Sequence, residues 1–213
     1  MTTLLNQTLT AVPVVPLVQS DDPATAVKIS HALVAGGLSV IEVVLRTDAA
    51  LDCLEAICDQ VPDAITGAGT VLTANQAAEV VRRGAQFIVS PGLTQGVVRM
   101  AQEHDVPLLA GIATATELQQ AYNYGLRTVK FFPAALSGGP KMIKALSSVF
   151  RDVRFMPTGG VNAANLPDYL ANPAVLACGG SWLTPSDAIA RGDFDVITKL
   201  AQEAVAIATK ARA

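Results

Sequence analysis

One lysine stands in a run that is otherwise β-branched, aromatic or proline, Thr128-Val129-Lys130-Phe131-Phe132-Pro133, and the run reads as a buried strand. Burial disfavours an ammonium, so a lysine so placed tends toward the free amine, the nucleophile that attacks a ketone and forms a Schiff base. Taken by itself, the same residue is better read as a snorkelling side chain or half of a structural ion pair. In Val40-Ile41-Glu42-Val43-Val44-Leu45-Arg46 the charged residues share the parity of Val44, opposite to Ile41, Val43 and Leu45. They therefore face one side of a strand, with Cα atoms roughly 13 Å apart at about 3.3 Å per residue. Glu42 is expected deep inside and Arg46 near the mouth. Alone this pair could be a structural bridge; facing an inward Lys130, it supplies a proton carrier and an anion receptor. Imine chemistry further requires a desolvated amine close to positive charge, and a Glu42 that reaches the substrate without being locked to that amine.

A second group of residues points to an anion. Gly159-Gly160 and Gly179-Gly180-Ser181 each follow an apolar run, and backbone N–H groups exposed by glycine can receive a phosphate there. Trp182, next to them, is expected to pack rather than to recognise substrate.

The elements that would position these groups are short β-rich runs recurring about every 20 to 25 residues, each followed by an alanine-rich helical segment. Strands are expected at 12–18, 40–45, 65–69, 87–89, 108–111, 128–132, 153–157 and 175–178. Helices are expected near 23–35, 48–60, 74–83, 94–104, 114–124, 138–148, 163–171 and 194–210. Thr47-Asp48, Thr73, Thr94 and Thr114 suit helix starts, and Thr114-Ala115-Thr116-Glu117 has the spacing of a capping box. Eight such units in one uninterrupted domain, 1–213, predict a (β/α)8 TIM barrel, with a doubly wound open sheet as the runner-up. In a barrel the chemistry gathers where strands end. Glu42 to Thr47, Gly67 to Thr70, Ser90-Pro91-Gly92, Gly111, Lys130 to Pro133, Pro157 to Gly160 and Cys178 to Ser181 all fit that rule.

Composition narrows the partners. The chain has 213 residues, a net charge of −3 and six lysines and nine arginines scattered without basic runs, which argues against nucleic acid and membrane surfaces. A small-molecule substrate is expected. Cys53, Cys58 and Cys178 lack metal-ligand or disulfide spacing and are expected as buried reduced thiols. With only His31 and His104, neither a histidine triad nor a multi-histidine metal site is indicated. Met1-Thr2-Thr3-Leu4-Leu5-Asn6 does not read as a signal peptide and no run reaches transmembrane length, so a cytoplasmic protein is expected.

At these residues the chain resembles the 2-keto-3-deoxy-6-phosphogluconate (KDPG) aldolase and 4-hydroxy-2-oxoglutarate aldolase family over nearly its whole length. The segment from Gly37 through Glu42 and Arg46 to Thr47 resembles the family's glutamate segment, and Gly125 through Lys130 to Ala134, with Gly138, its Schiff-base segment. The resemblance implies that Lys130 forms an imine with C2 of the keto acid and that Glu42 is general base and acid. It further implies that Arg46 and Thr70 hold the pyruvate carboxylate, that Pro91 and Phe132 line the pocket, and that Thr158 approaches the hydroxyl-bearing carbons. Gly159, Gly160, Gly179, Gly180 and Ser181 would then serve the phosphate of a phosphorylated keto acid. A homotrimer without metal or cofactor is implied as well. Val44 departs from the threonine expected of the family at that position. Three alternatives compete: a 2-keto-3-deoxy-6-phosphogalactonate aldolase, whose relatives tend to be apolar at the position of Thr158; a phosphosugar isomerase or phosphate-binding barrel without imine chemistry; and a non-catalytic binding barrel.

Overall fold

A computed structural model describes residues Thr2–Arg212. The elements run α1 (Thr2–Ala11), β1 (Val14–Val18), α2 (Pro23–Ala35), β2 (Val40–Val44), α3 (Ala50–Gln60), β3 (Ile65–Gly69), α4 (Ala74–Arg82), β4 (Ile88–Val89) and α5 (Gln95–Glu103). They continue as β5 (Leu108–Ile112), α6 (Ala115–Asn123), β6 (Thr128–Phe131), α7 (Gly139–Val149), β7 (Arg154–Pro157), α8 (Leu166–Leu170), β8 (Cys178–Gly180), α9 (Ser186–Arg191) and α10 (Phe194–Arg212). The eight parallel strands follow the order β7-β6-β5-β4-β3-β2-β1-β8. Two isolated bridges, Phe155 to Val175 and Thr158 to Gly179, bring β7 to β8 and nearly close the ring. This is the (β/α)8 barrel expected, and the open-sheet alternative falls.

Strand parity separates two cores. Ile41, Val43, Ala68, Ile88, Val129 and Phe131 face outward and pack with helix residues such as Leu33, Leu54 and Ile143. Val15, Val40, Phe87, Val89, Leu109 and Met156 face inward and form the barrel floor with Leu5 and Leu9 of α1. The sequence reading misses α1 because Thr2, Thr3, Thr8 and Thr10 disfavour a helix, by about 0.6 kcal/mol each. Full burial of Leu5 and Leu9, about 1.5–3 kcal/mol apiece, outweighs that cost. Thr8 and Thr10 also donate their hydroxyls back to Leu4 O and Asn6 O. Packing forms this helix, and the helix caps the barrel floor.

The last strand lies later in the chain than the sequence predicts. It was expected at 175–178, followed by a glycine loop, but β8 comprises Cys178–Gly180 and pairs with β1 through Val14–Cys178, Val15–Gly179 and Pro16–Gly180. Both glycines are strand residues because neighbours fill both faces. A Cβ on Gly179 would lie 2.3 Å from Thr158 Oγ1, and one on Gly180 would lie 1.6 Å from the Trp182 ring. Trp182 therefore packs, as expected.

Smaller differences have similar causes. The short α9 was not foreseen, α8 covers only part of 163–171, and α3 begins after Ala49 instead of being capped by Thr47 or Asp48. The Thr47 hydroxyl is used elsewhere, donating to Ser20 O. Cys53 and Cys178 are buried, but Cys58 is only half-buried. Burial pushes the Cys53 and Cys58 thiols up to about 11, so both are poor nucleophiles at neutral pH.

Thr73 and Thr114 each close a capping box, with Gln76 and Glu117 as the returning side chains. The Ala113 N–H, together with the Thr114 hydroxyl and N–H, holds the Glu117 carboxyl below its ordinary value of 4.5. A depressed carboxyl contributes stability above its unfolded value, and that contribution is lost as pH falls through the lower folded value. The glutamine of α4 does not titrate. Thermal melts should show Glu117→Gln less stable than wild type at pH 7, with the difference shrinking steadily below about pH 4.3.

Candidate active site

The interior face above the barrel floor is where the polar groups meet. β2 places Glu42 fully buried inside the barrel, and β6 places Lys130 across from it at 3 % exposure. Lys130 Nζ lies 3.4 Å from Glu42 Oε1. That is well beyond the roughly 2.8 Å of a tight charge-assisted bond, so the carboxylate touches the amine without clamping it. Glu42 Oε2 is buried without a protein partner. Lys130 Nζ also lies 5.1 Å from the centroid of the Phe132 ring, whose face favours a cation.

Glycine makes the space for these groups. A Cβ on Gly69 would stand 2.0 Å from Glu42 Oε1, so any side chain there would evict the carboxylate. The register of β2 and β3, Glu42 with Gly67 and Val44 with Gly69, sets the two glycines against the Glu42 face. Gly111, paired with Lys130 in register, does the same for a peptide group: its Cβ would lie 2.1 Å from Pro91 O. The Pro91 turn thus enters the barrel mouth beside the lysine strand, closed by Ser90 Oγ donating to Gly92 O at 2.8 Å.

Arg46 and Thr70 meet at the mouth, where Arg46 Nε donates to Thr70 Oγ1 at 3.3 Å. The strand ends at Val44, so Arg46 stands beyond it and is exposed. Thr70 has φ 61, a left-handed conformation that costs a β-branched residue about 1–3 kcal/mol. Such strain is retained where a side chain is needed in one place. Thr70→Gly should therefore melt no lower than wild type, because the strain it relieves at least offsets the entropy cost of glycine, while KM for a keto acid rises several-fold.

Thr158 follows β7 and is buried, its Oγ1 lacking a protein partner and facing Gly179. Gly159 and Gly160 have φ of 94 and 82, and a Cβ on Gly160 would lie 2.5 Å from that of Ala135. Asn165 Nδ2 donates to Gly160 O at 2.8 Å and holds this turn. Ser181 is exposed at the end of β8. Sequence reasoning placed Ser90 at a strand end but missed Asn165, which acts on neighbouring backbone; the one hint to it is its position just after the Gly159-Gly160 turn. Among the described residues, no group of three or more His, Cys, Asp or Glu side chains is arranged to hold a metal ion, and no helix is long and apolar enough to cross a membrane.

A parallel barrel with a buried interior lysine beside a carboxylate, and an arginine at the strand ends above them, is built for lysine-dependent chemistry on a keto acid. Residues 5–200 match the sequence model of the family described as KDPG and KHG aldolase, and the chain belongs to that family. It is 52 % identical over 197 residues to the KHG/KDPG aldolase of Escherichia coli K12, covering 92 % of each chain. Identity to the 2-dehydro-3-deoxy-phosphogluconate aldolase of Dickeya dadantii is 50 % over 207 residues, 97 % of each chain. Among solved structures, the KDPG aldolase of Legionella pneumophila, with pyruvate captured as a covalent carbinolamine, superposes with a TM-score of 0.90 at 40 % identity. That match covers 94 % of this chain and 97 % of the other.

Proposed function

We propose that this chain is a class I aldolase that reversibly cleaves 2-keto-3-deoxy-6-phosphogluconate to pyruvate and glyceraldehyde 3-phosphate, its whole length acting as one domain. The observation that carries this reading is the buried pair of Lys130 and Glu42, 3.4 Å apart inside the barrel. The Lys130 amine adds to the C2 ketone, and the carbinolamine loses water to give an iminium. Glu42, through its unpartnered Oε2, takes the proton of the C4 hydroxyl; the C3–C4 bond breaks and its electron pair flows into the iminium, leaving an enamine. The aldehyde departs, Glu42 returns a proton to C3, and water releases pyruvate and the free amine.

The remaining groups place the substrate. Arg46 and Thr70 receive the carboxylate, Pro91 and Phe132 wall the pocket, and Thr158 offers its free hydroxyl to the C4 end. Gly159, Gly160, Gly179, Gly180 and Ser181 take the phosphate, with Gly179 and Gly180 acting through the backbone of β8 rather than a loop. No metal or cofactor enters the scheme. Three free cysteines favour a reducing, cytoplasmic setting. A homotrimer, as the family resemblance implies, is proposed as the working form.

The test is steady-state cleavage of 2-keto-3-deoxy-6-phosphogluconate and 2-keto-3-deoxy-6-phosphogalactonate, which differ at C4. A preference for the gluconate epimer supports the role given to Thr158. A preference for the galactonate epimer reassigns the enzyme, and cleavage of neither removes the proposal.

A further inference from the structure

Resting on that reading, we infer that Gln19 is a specificity residue that hydrogen-bonds the C5 hydroxyl of the phosphorylated substrate. Gln19 follows β1 and lines a cavity of about 230 Å³ that also takes in Arg46, Ser181 and Thr184 over an apolar floor of Leu17 and Val44. The two ends proposed for the substrate, carboxylate at Arg46 and phosphate at Ser181, thus border one space, and Gln19 is a third polar wall of it. The backbone on either side of Gln19 is tied down. Thr184 Oγ1 donates to Leu17 O at 2.8 Å, and Thr47 Oγ1 donates to Ser20 O at 2.8 Å. The loops after β8 and β2 thereby fix the end of β1, while the Gln19 side chain remains exposed and unengaged by any hydrogen bond among the described residues.

A carboxamide both donates and accepts, which matches a hydroxyl; an anion alone would be better met by a cation. The chain between the carboxylate and the phosphate carries hydroxyls on C4 and C5. Glu42 and Thr158, deeper in the barrel, attend C4, which leaves the C5 hydroxyl for a group at the rim. A short keto acid such as 4-hydroxy-2-oxoglutarate ends in a C5 carboxylate, an acceptor with no hydroxyl proton to give and no phosphate to anchor that end at the rim, so it should depend little on Gln19. The residue would then discriminate between the two substrates without touching the reacting bonds.

The experiment compares wild type with Gln19→Ala and Gln19→Met, the second keeping shape without hydrogen bonding. For the phosphogluconate substrate both should lose about fivefold to tenfold in kcat/KM, chiefly through KM, the scale of one neutral hydrogen bond. For 4-hydroxy-2-oxoglutarate they should stay within about twofold of wild type, with unchanged borohydride trapping of pyruvate and unchanged Tm. Equal losses on both substrates, no loss on either, or full activity of Gln19→Met would overturn the inference while leaving the aldolase reading intact. A wild-type protein that cleaves neither substrate and traps no pyruvate would instead sink the aldolase reading, and this inference with it.

Discussion

Lys130→Met should remove aldol cleavage to at least about ten-thousandfold below wild type, because among the described residues no other lysine is buried inside the barrel to take the imine role. Without an iminium the C3–C4 electron pair has no sink, and placement of the substrate cannot replace it. The substitution also strands Glu42, a fully buried carboxylate that, among the described residues, forms its salt bridge with Lys130 alone. Breaking a buried pair costs about 3–5 kcal/mol when the surviving charge stays behind. The melting temperature of Lys130→Met should therefore fall with its activity. Adding Glu42→Leu should restore the melting temperature and leave the enzyme dead, which separates chemistry from folding.

Glu42→Gln should lower kcat by about a hundredfold to ten-thousandfold while KM changes little, since the amide keeps the shape and an acceptor toward Lys130 but loses the proton carrier. It should still condense with pyruvate. Borohydride with pyruvate is expected to label Glu42→Gln at Lys130 and to leave Lys130→Met unlabelled. If Glu42→Gln kept full cleavage, another group would have to move the C4 proton.

Most of the chemistry could be read from the chain because charged residues inside apolar strands announce themselves. Glu42 and Lys130 each break a β-branched run at the parity that faces the barrel axis, and the structure brings them together as that parity requires. What could not be read depends on neighbours distant in sequence. Gly179-Gly180 looks like a turn until Thr158 and Trp182 are seen occupying both sides of it. Gly69 looks like a strand terminator, whereas its lack of a side chain is what lets the Glu42 carboxylate exist in the barrel. The helix α1 has weak intrinsic preference and owes its place to the open floor it covers. Thr70 carries no mark in the sequence of its left-handed backbone, which the contact with Arg46 makes intelligible.

The central claim is that the Lys130 amine bonds covalently to a ketone carbon. Wild-type protein incubated with pyruvate and reduced with borohydride, then digested and mass-mapped, should show a reduced pyruvate adduct on the peptide containing Lys130, with activity lost in proportion to labelling. Recovery of that peptide unmodified from protein that still cleaves its substrate at full rate would contradict the account.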